Sequence, residues 1–265
     1  MQLPKERQKV QDYNPALMVL FGRYKSGKST IASALENNLV LDLEDGYRSL
    51  PVMRVVIKTA KQLEEVRQEL KAEKEKTGKL PYRYITIDNA TRLEELSLSV
   101  AANLYRSTSM GRDWETSIDE RTGKKVVNKK ADVRLLPNGS GYLYIRQAVK
   151  GMIDMFRPYC DTLILIAHQK DKQIKKDAEE ITETSVDLSG KLADIICGIA
   201  DAVGYVYREG NKTFISFKGG DGTVKEARPL HLRGQVFKVI ESDESNKLTI
   251  DLSKVFIDNH TDNNA

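Results

Sequence analysis

The sequence predicts an α/β protein with a mainly parallel central sheet flanked by helices and a β-rich C-terminal extension. Three observations predict it. Short apolar runs alternate with longer amphipathic stretches, the order that parallel strands joined by crossover helices require. The first apolar run leads through a glycine-rich turn, GRYKSGKST (22–30), straight into a helical pattern. Apolar residues make up 40% of 265, enough for a sizeable core.

Leu17 to Phe21 is the first strand and Lys28 to Glu36 a short helix; Asn38 to Leu43 is the second strand. Lys61 to Lys76 carries Leu63, Val66 and Leu70 at spacings of three and four among charges, which makes an exposed helix with one apolar stripe, ended by Gly78 and Pro81. Tyr82 to Asp88 is a third strand, and Arg92 to Tyr105 and Tyr142 to Phe156 are amphipathic helices. Thr162 to His168 (TLILIAH) is the most apolar strand and therefore central. Val186 to Cys197 reads as helical, and Ala202 to Tyr207 with Lys212 to Lys218 as a hairpin about Glu209-Gly210-Asn211. Two segments break the rhythm: Arg106 to Gly141, polar with a hairpin candidate at Thr122-Gly123, and Gln169 to Gly190, a charge-laden loop. The domain scheme is an N-terminal segment (1–16), a core (17–220) with 106–141 inserted, a β-rich extension (221–257) and a solvated tail (258–265).

Forty-two basic and 38 acidic side chains leave a net charge of +4, which permits an anionic partner without demanding one. Cys160 and Cys197 lie in apolar surroundings and read as buried thiols of a reducing cytoplasm. No Cys/His cluster has zinc spacing. The first sixteen residues lack the apolar core of a signal peptide, and no run approaches the ~20 apolar residues that cross a bilayer. The expectation is a cytoplasmic protein with no membrane partner.

The stretch from Gly22 through Arg23, Tyr24, Lys25, Ser26, Gly27, Lys28 and Ser29 to Thr30 fits GxxxxGK[ST]. Glycines let main-chain N–H groups face phosphates, the helix start adds positive potential, and Lys28 brings a mobile charge to the β- and γ-phosphates. Ser29 is placed to ligate Mg²⁺ through its hydroxyl. Asp88, closing a strand, supplies the carboxylate for the Mg²⁺ water shell; its alternative role is to cap the next helix. In many ATPases a glutamate follows that aspartate, but Asn89 stands there. The water-activating acid must come from elsewhere, and Glu44 in Leu41-Asp42-Leu43-Glu44-Asp45-Gly46 is the first choice, with Asp42 or Asp45 next. The competing reading is an ordinary acidic turn.

VLDLEDG (40–46), YITIDNA (84–90) and LILIAHQK (163–170) resemble the corresponding motifs of the RecA/RadA group of ATPases. With the glycine-rich loop and LSGKLAD (188–194), their order is similar to that of phage-type RecA-like nucleotide-binding proteins, some of them single-strand annealing recombinases. The resemblance covers about residues 16 to 220. It implies a RecA-like P-loop core that binds and hydrolyses ATP with Mg²⁺, with Glu44 activating water and His168 and Gln169 sensing the γ-phosphate. For His168 a core hydrogen bond is the competing role. Lys191 would reach a neighbouring subunit's phosphates in a ring or filament, so the chain is expected to be a homo-oligomer in the cytoplasm, a host's if phage-encoded.

The two irregular segments fall where RecA-like proteins contact DNA. The first holds Arg106, Arg112, Arg121, Lys124, Lys125, Lys129, Lys130 and Arg134 with Trp114; the second holds Lys170, Lys172, Lys175 and Lys176. Such residues neutralise phosphates without reading bases, and an aromatic can stack on an unpaired base. Asp119, Glu120, Asp177, Glu179 and Glu180 intervene, so a solvated face competes. The expected function is ATP-dependent binding of single-stranded DNA in recombination or replication, with a single-strand-binding protein as a further partner. The alternatives are a P-loop small-molecule kinase, against which the loop after His168 lacks lid arginines, and a nucleotide-gated assembly factor. ATP rather than GTP follows from the resemblance alone, since no NKxD motif follows the sensor strand and the base pocket is not legible.

Overall fold

Strand β1 (Leu17–Gly22) is buried at all six positions, as a parallel strand covered on both faces must be. The computed structural model describes residues 12–128, 130–176, 179–220 and 222–257. After β1 come α1 (Lys28–Ser33), β2 (Asn38–Asp42), β3 (Met53–Val56), α2 (Ala60–Thr77), β4 (Tyr84–Asp88) and α3 (Ala90–Arg106). A small hairpin, β5 (Thr116–Ile118) and β6 (Lys125–Val127), precedes α4 (Gly141–Asp154), β7 (Thr162–Lys176), β8 (Glu179–Val186) and α5 (Leu192–Ile199). The chain closes with β9 (Ala202–Glu209), β10 (Lys212–Ser216), β11 (Glu226–Ala227), β12 (Val236–Ser242) and β13 (Leu248–Ile250).

The main sheet runs β13-β12-β10-β9-β1-β7-β4-β2-β3, with β8 paired to β7 and β11 to β9. From β9 to β3 the pairings along this order are parallel, and from β9 to β13 antiparallel. The predicted α/β class and central Thr162–His168 strand are what the molecule has. The last strands do not form a separate layer, because β10, β12 and β13 continue the same sheet.

Alternation along the strands makes two cores. Leu17, Val19 and Phe21 join Leu63, Leu93, Ile145, Val149 and Ile196, from α2 to α5, on one face. Met18 and Leu20 join Ile31 of α1, Val239, Ile240 and Phe256 on the other. Helix α2 has its own start and stop: a capping box between Thr59 and Gln62, and Gly78 in the left-handed region at φ 68°.

Two expectations need correction. Gln169 to Gly190 is not a loop: the apolar strand runs on to Lys176 and pairs with β8, from Gln169 opposite Val186 to Lys176 opposite Glu179. Past His168 this ribbon is almost entirely polar, so neither face shows the alternation from which a strand is read; cross-strand backbone hydrogen bonds hold it. Strand β3 was not expected, since its four residues alternate between exposed and half-buried at the edge of the sheet. Residues 1–11, Lys129, Asp177 and the tail from 258 lie outside the described residues, as do the side chains of Lys172, Lys175, Lys176, Glu179 and Glu180. No helix among the described residues is long and apolar enough to cross a membrane.

Candidate functional site

Parallel registers bring the ends of β1, β2 and β4 to one edge beside His168, which lies within β7. Gly22 lies opposite His168, Asp42 opposite Asp88, and Asp88 opposite Ile166, two residues before His168. At this edge a cavity of ≈ 380 Å³ is lined by residues 24–30 together with Asp42, Glu44, Tyr47, Asp88 and His168. On its remaining side stand Arg208, Thr213, Ile240 and Leu248.

The glycines in the loop have separate reasons. A Cβ on Gly22 would stand 2.1 Å from the Val206 carbonyl oxygen of the neighbouring strand, a distance no side chain survives. Gly27 adopts φ 102°, the conformation that turns the loop into α1. Gly22 and Arg23 do not line the cavity; their carbonyls accept hydrogen bonds from the Lys28 ammonium at 2.9 and 2.7 Å. Burial pushes Lys28 down to about 8, with the charges of Asp88 and Glu44 pulling the other way.

Ser29 donates to Asp88 Oδ2 at 3.0 Å, and the buried Tyr47 hydroxyl donates to the same oxygen at 2.7 Å. Burial pushes the Asp88 carboxyl above the usual range while these two hydrogen bonds oppose the shift. The Tyr47 phenol is pushed far up by burial and by the charge of Asp88, so it stays a donor. Ser29 and Asp88 are hard oxygen donors side by side, the kind Mg²⁺ takes together with phosphate oxygens and water, so these residues fit the ion. Among the described residues no group of three or more His, Cys, Asp or Glu is gathered to hold a metal alone.

The three acids of the turn after β2 divide by their partners. Asp42 accepts from the main-chain N–H groups of Glu44, Gly46 and Tyr47 and from Arg54 at 2.7 Å. Asp45 is held by Arg48 and Arg54, which keep its carboxyl well below the usual range. Glu44 alone of the three is exposed, and its carboxylate lies 3.9 Å from His168 Nε2.

Asn89 accepts from the Arg92 N–H through Oδ1 and thereby caps α3. Its amide nitrogen is left to donate to His168 Nε2 at 2.8 Å. That assigns the proton of the neutral ring to Nδ1, which is buried and has no hydrogen-bond partner. Burial, and then the Lys28 charge, hold His168 below its ordinary value, so the ring is neutral at pH 7. Tyr24 of the loop stacks on it with centroids 3.9 Å apart.

Gln169 and Lys191 do not join this group. Successive residues on a strand face opposite sides, so Gln169 turns away from the cavity and accepts from the Tyr205 hydroxyl at 3.0 Å. Lys191 sits exposed at the start of α5. Tyr47, Arg54, Asn89 and the four residues of the far wall were missed by sequence reasoning. Only Asn89, directly after the strand-end aspartate, carried a signal.

The described basic residues of the first irregular segment fall into two sets. Lys125 pairs with Asp113, Arg134 with Asp132, and Arg106 lies over the Trp114 ring at 5.1 Å. Trp114 packs edge-on against Tyr105, which makes it an anchor of the segment. Arg112, Arg121, Lys124 and Lys130 stand exposed. In the ribbon, Lys170 pairs with Asp187 at 3.4 Å.

A family model described as an AAA domain matches residues 14–228. No curated protein matches the chain. Among solved structures, the chain is similar to a RadB recombinase at 11% identity and a TM-score of 0.45, covering 88% of this chain and 90% of that one. It is also similar to a KaiC-like protein from the hyperthermophilic archaeon Pyrococcus horikoshii OT3 at 12% identity and a TM-score of 0.47, covering 90% and 91%.

Proposed function

We propose, from the premise that the chain belongs to the AAA-domain family, that it is a RecA-like Mg²⁺-dependent ATPase whose nucleotide state governs binding to single-stranded DNA. One observation carries this reading: β7 passes unbroken from His168, in the cavity wall, to Lys176, its last residue. A strand has no slack, so a shift at His168 is passed along β7 into the paired ribbon.

Residues 24–29 offer main-chain N–H groups to the triphosphate, and Lys28 turns its ammonium from loop carbonyls toward phosphate oxygens. Ser29 and Asp88 would hold Mg²⁺, which would supply positive charge against the phosphates. Glu44 takes the proton of the attacking water, because Asp42 and Asp45 are already committed to Arg54 and the turn. His168, in the cavity wall with its Nε2 held by Asn89 and 3.9 Å from Glu44, is the residue that responds to an added γ-phosphate. The exposed cations Arg112, Arg121, Lys124 and Lys130 of the inserted segment, together with the lysines of the β7 ribbon, give the chain its sequence-independent grip on phosphates. Assembly into a ring or filament would bring Lys191 to a neighbour's site.

The test is the ATPase rate with and without single-stranded DNA at two salt concentrations. Stimulation that falls as salt rises supports the reading; no stimulation together with no salt-sensitive binding refutes the DNA function. Product analysis separates the kinase alternative: free phosphate marks an ATPase, and a phosphorylated small molecule a kinase.

A further inference from the structure

Four residues of the cavity lining take no part in the phosphate grip. These are Arg208, Thr213, Ile240 and Leu248, from β9, β10, β12 and β13. They form one wall because the antiparallel half of the sheet packs against the turn into α1. A Cβ on Gly27 would lie 3.2 Å from Thr213 Cγ2 and 3.6 Å from Ile240 Cδ1. The wall therefore begins beside Gly27, directly before Lys28. Two of its members lie beyond the residues matched by the family model, which ends at 228.

We propose that this wall seats the nucleobase and ribose of the bound triphosphate, with Ile240 and Leu248 as its apolar face. The inference rests on the nucleotide reading above and deepens it. A nucleoside triphosphate held by residues 24–30 must lay its planar base somewhere in the same cavity, and this wall is the lining that the phosphate-binding groups do not use. Its chemistry suits a base. Ile240 is 4% exposed and fixed in the core, whereas Leu248 is 44% exposed, an apolar side chain at the rim that a flat ring would cover. Arg208, exposed on β9 at the opposite edge of the wall, presents a guanidinium plane that stacks on aromatic rings.

The same wall states a specificity. Reading guanine requires an acceptor, ordinarily a carboxylate, opposite its N1–H and 2-amino donors. The acids that line the cavity, Asp42, Glu44 and Asp88, all stand at the strand ends around the phosphate loop, and the wall has none. It selects a planar apolar surface, so ATP and GTP bind alike.

Calorimetric titration with ATP, GTP and inorganic tripolyphosphate, each with Mg²⁺, tests the assignment on wild type, L248A and L248M. Leu248→Ala should weaken ATP and GTP about fivefold by removing apolar cover, and leave tripolyphosphate binding unchanged. Leu248→Met, which keeps the volume, should bind all three as wild type does. ATP affinity indifferent to Leu248→Ala, or equal weakening of tripolyphosphate, overturns the base seat while the triphosphate grip stands. A wild-type preference for one purine of more than about tenfold overturns the unselective wall. Wild type that binds neither ATP nor tripolyphosphate overturns the nucleotide reading and this inference with it.

Discussion

At one end of the cavity, Lys28, Asp88 and His168 are buried on or beside parallel strands, and each is held by a hydrogen bond to a named neighbour. At the other end, Arg208 and Leu248 sit exposed on antiparallel strands, with only Thr213 and Ile240 buried. Charge and direction account for the difference. A polyphosphate is gripped by hydrogen bonds that fail if a donor moves by an ångström, so its residues need rigid strand ends and partners that fix their rotamers. A base is held by area, which tolerates displacement and substitution. Changes at the phosphate end should therefore be severe and specific to one step, and changes at the wall graded.

The largest effect is expected from Glu44→Gln, which keeps the size and removes the base. Turnover should fall by ~10² or more while nucleotide affinity stays put, as single-turnover hydrolysis and calorimetry would show. Normal hydrolysis by this variant would remove Glu44 from the role, and with both other acids of the turn committed, the base would have to come from outside it. Lys28→Ala comes next: loss of a charge-assisted contact of about 1.5–3 kcal/mol should weaken ATP and tripolyphosphate together. Weakening of ATP alone would blur the division between the two ends.

Tyr47→Phe removes one hydroxyl from Asp88 and leaves the packing. Loss of such a supporting hydrogen bond should raise the Mg²⁺ concentration needed for tight nucleotide binding by roughly tenfold or more, with affinity in EDTA unchanged. A uniform loss in both conditions would make Tyr47 merely structural. The smallest effect is with pH. An anion favours the charged Lys28 and so raises its pKa from the free value of about 8. Triphosphate affinity should be flat below that value, then fall by about tenfold from pH 7 to pH 9 with proton uptake on binding. A base bound at the wall adds nothing to this slope, so ATP and tripolyphosphate should show it equally.

Legibility followed the same division. GRYKSGKST announces itself because its geometry is local: nine consecutive residues supply the amides, the ammonium and the hydroxyl. Asp88 was legible as an acid closing an apolar run. Gln169 was paired with His168 by adjacency, whereas strand alternation sends the two to opposite faces and only His168 meets the cavity. The ribbon after His168 hid because pairing through backbone groups leaves little mark on a polar sequence.

By itself, then, the sequence determined a parallel α/β core and a phosphate-binding loop, since periodicity and contiguous spacing are enough to specify both. The tertiary structure alone decided which acid of three is free, that Tyr47 supports Asp88, and that strands near the C-terminus complete the cavity. Those facts depend on strand order and register, which join residues as far apart as Gly27 and Ile240. No local pattern encodes such a neighbour, because the contact is fixed by the packing of the whole sheet.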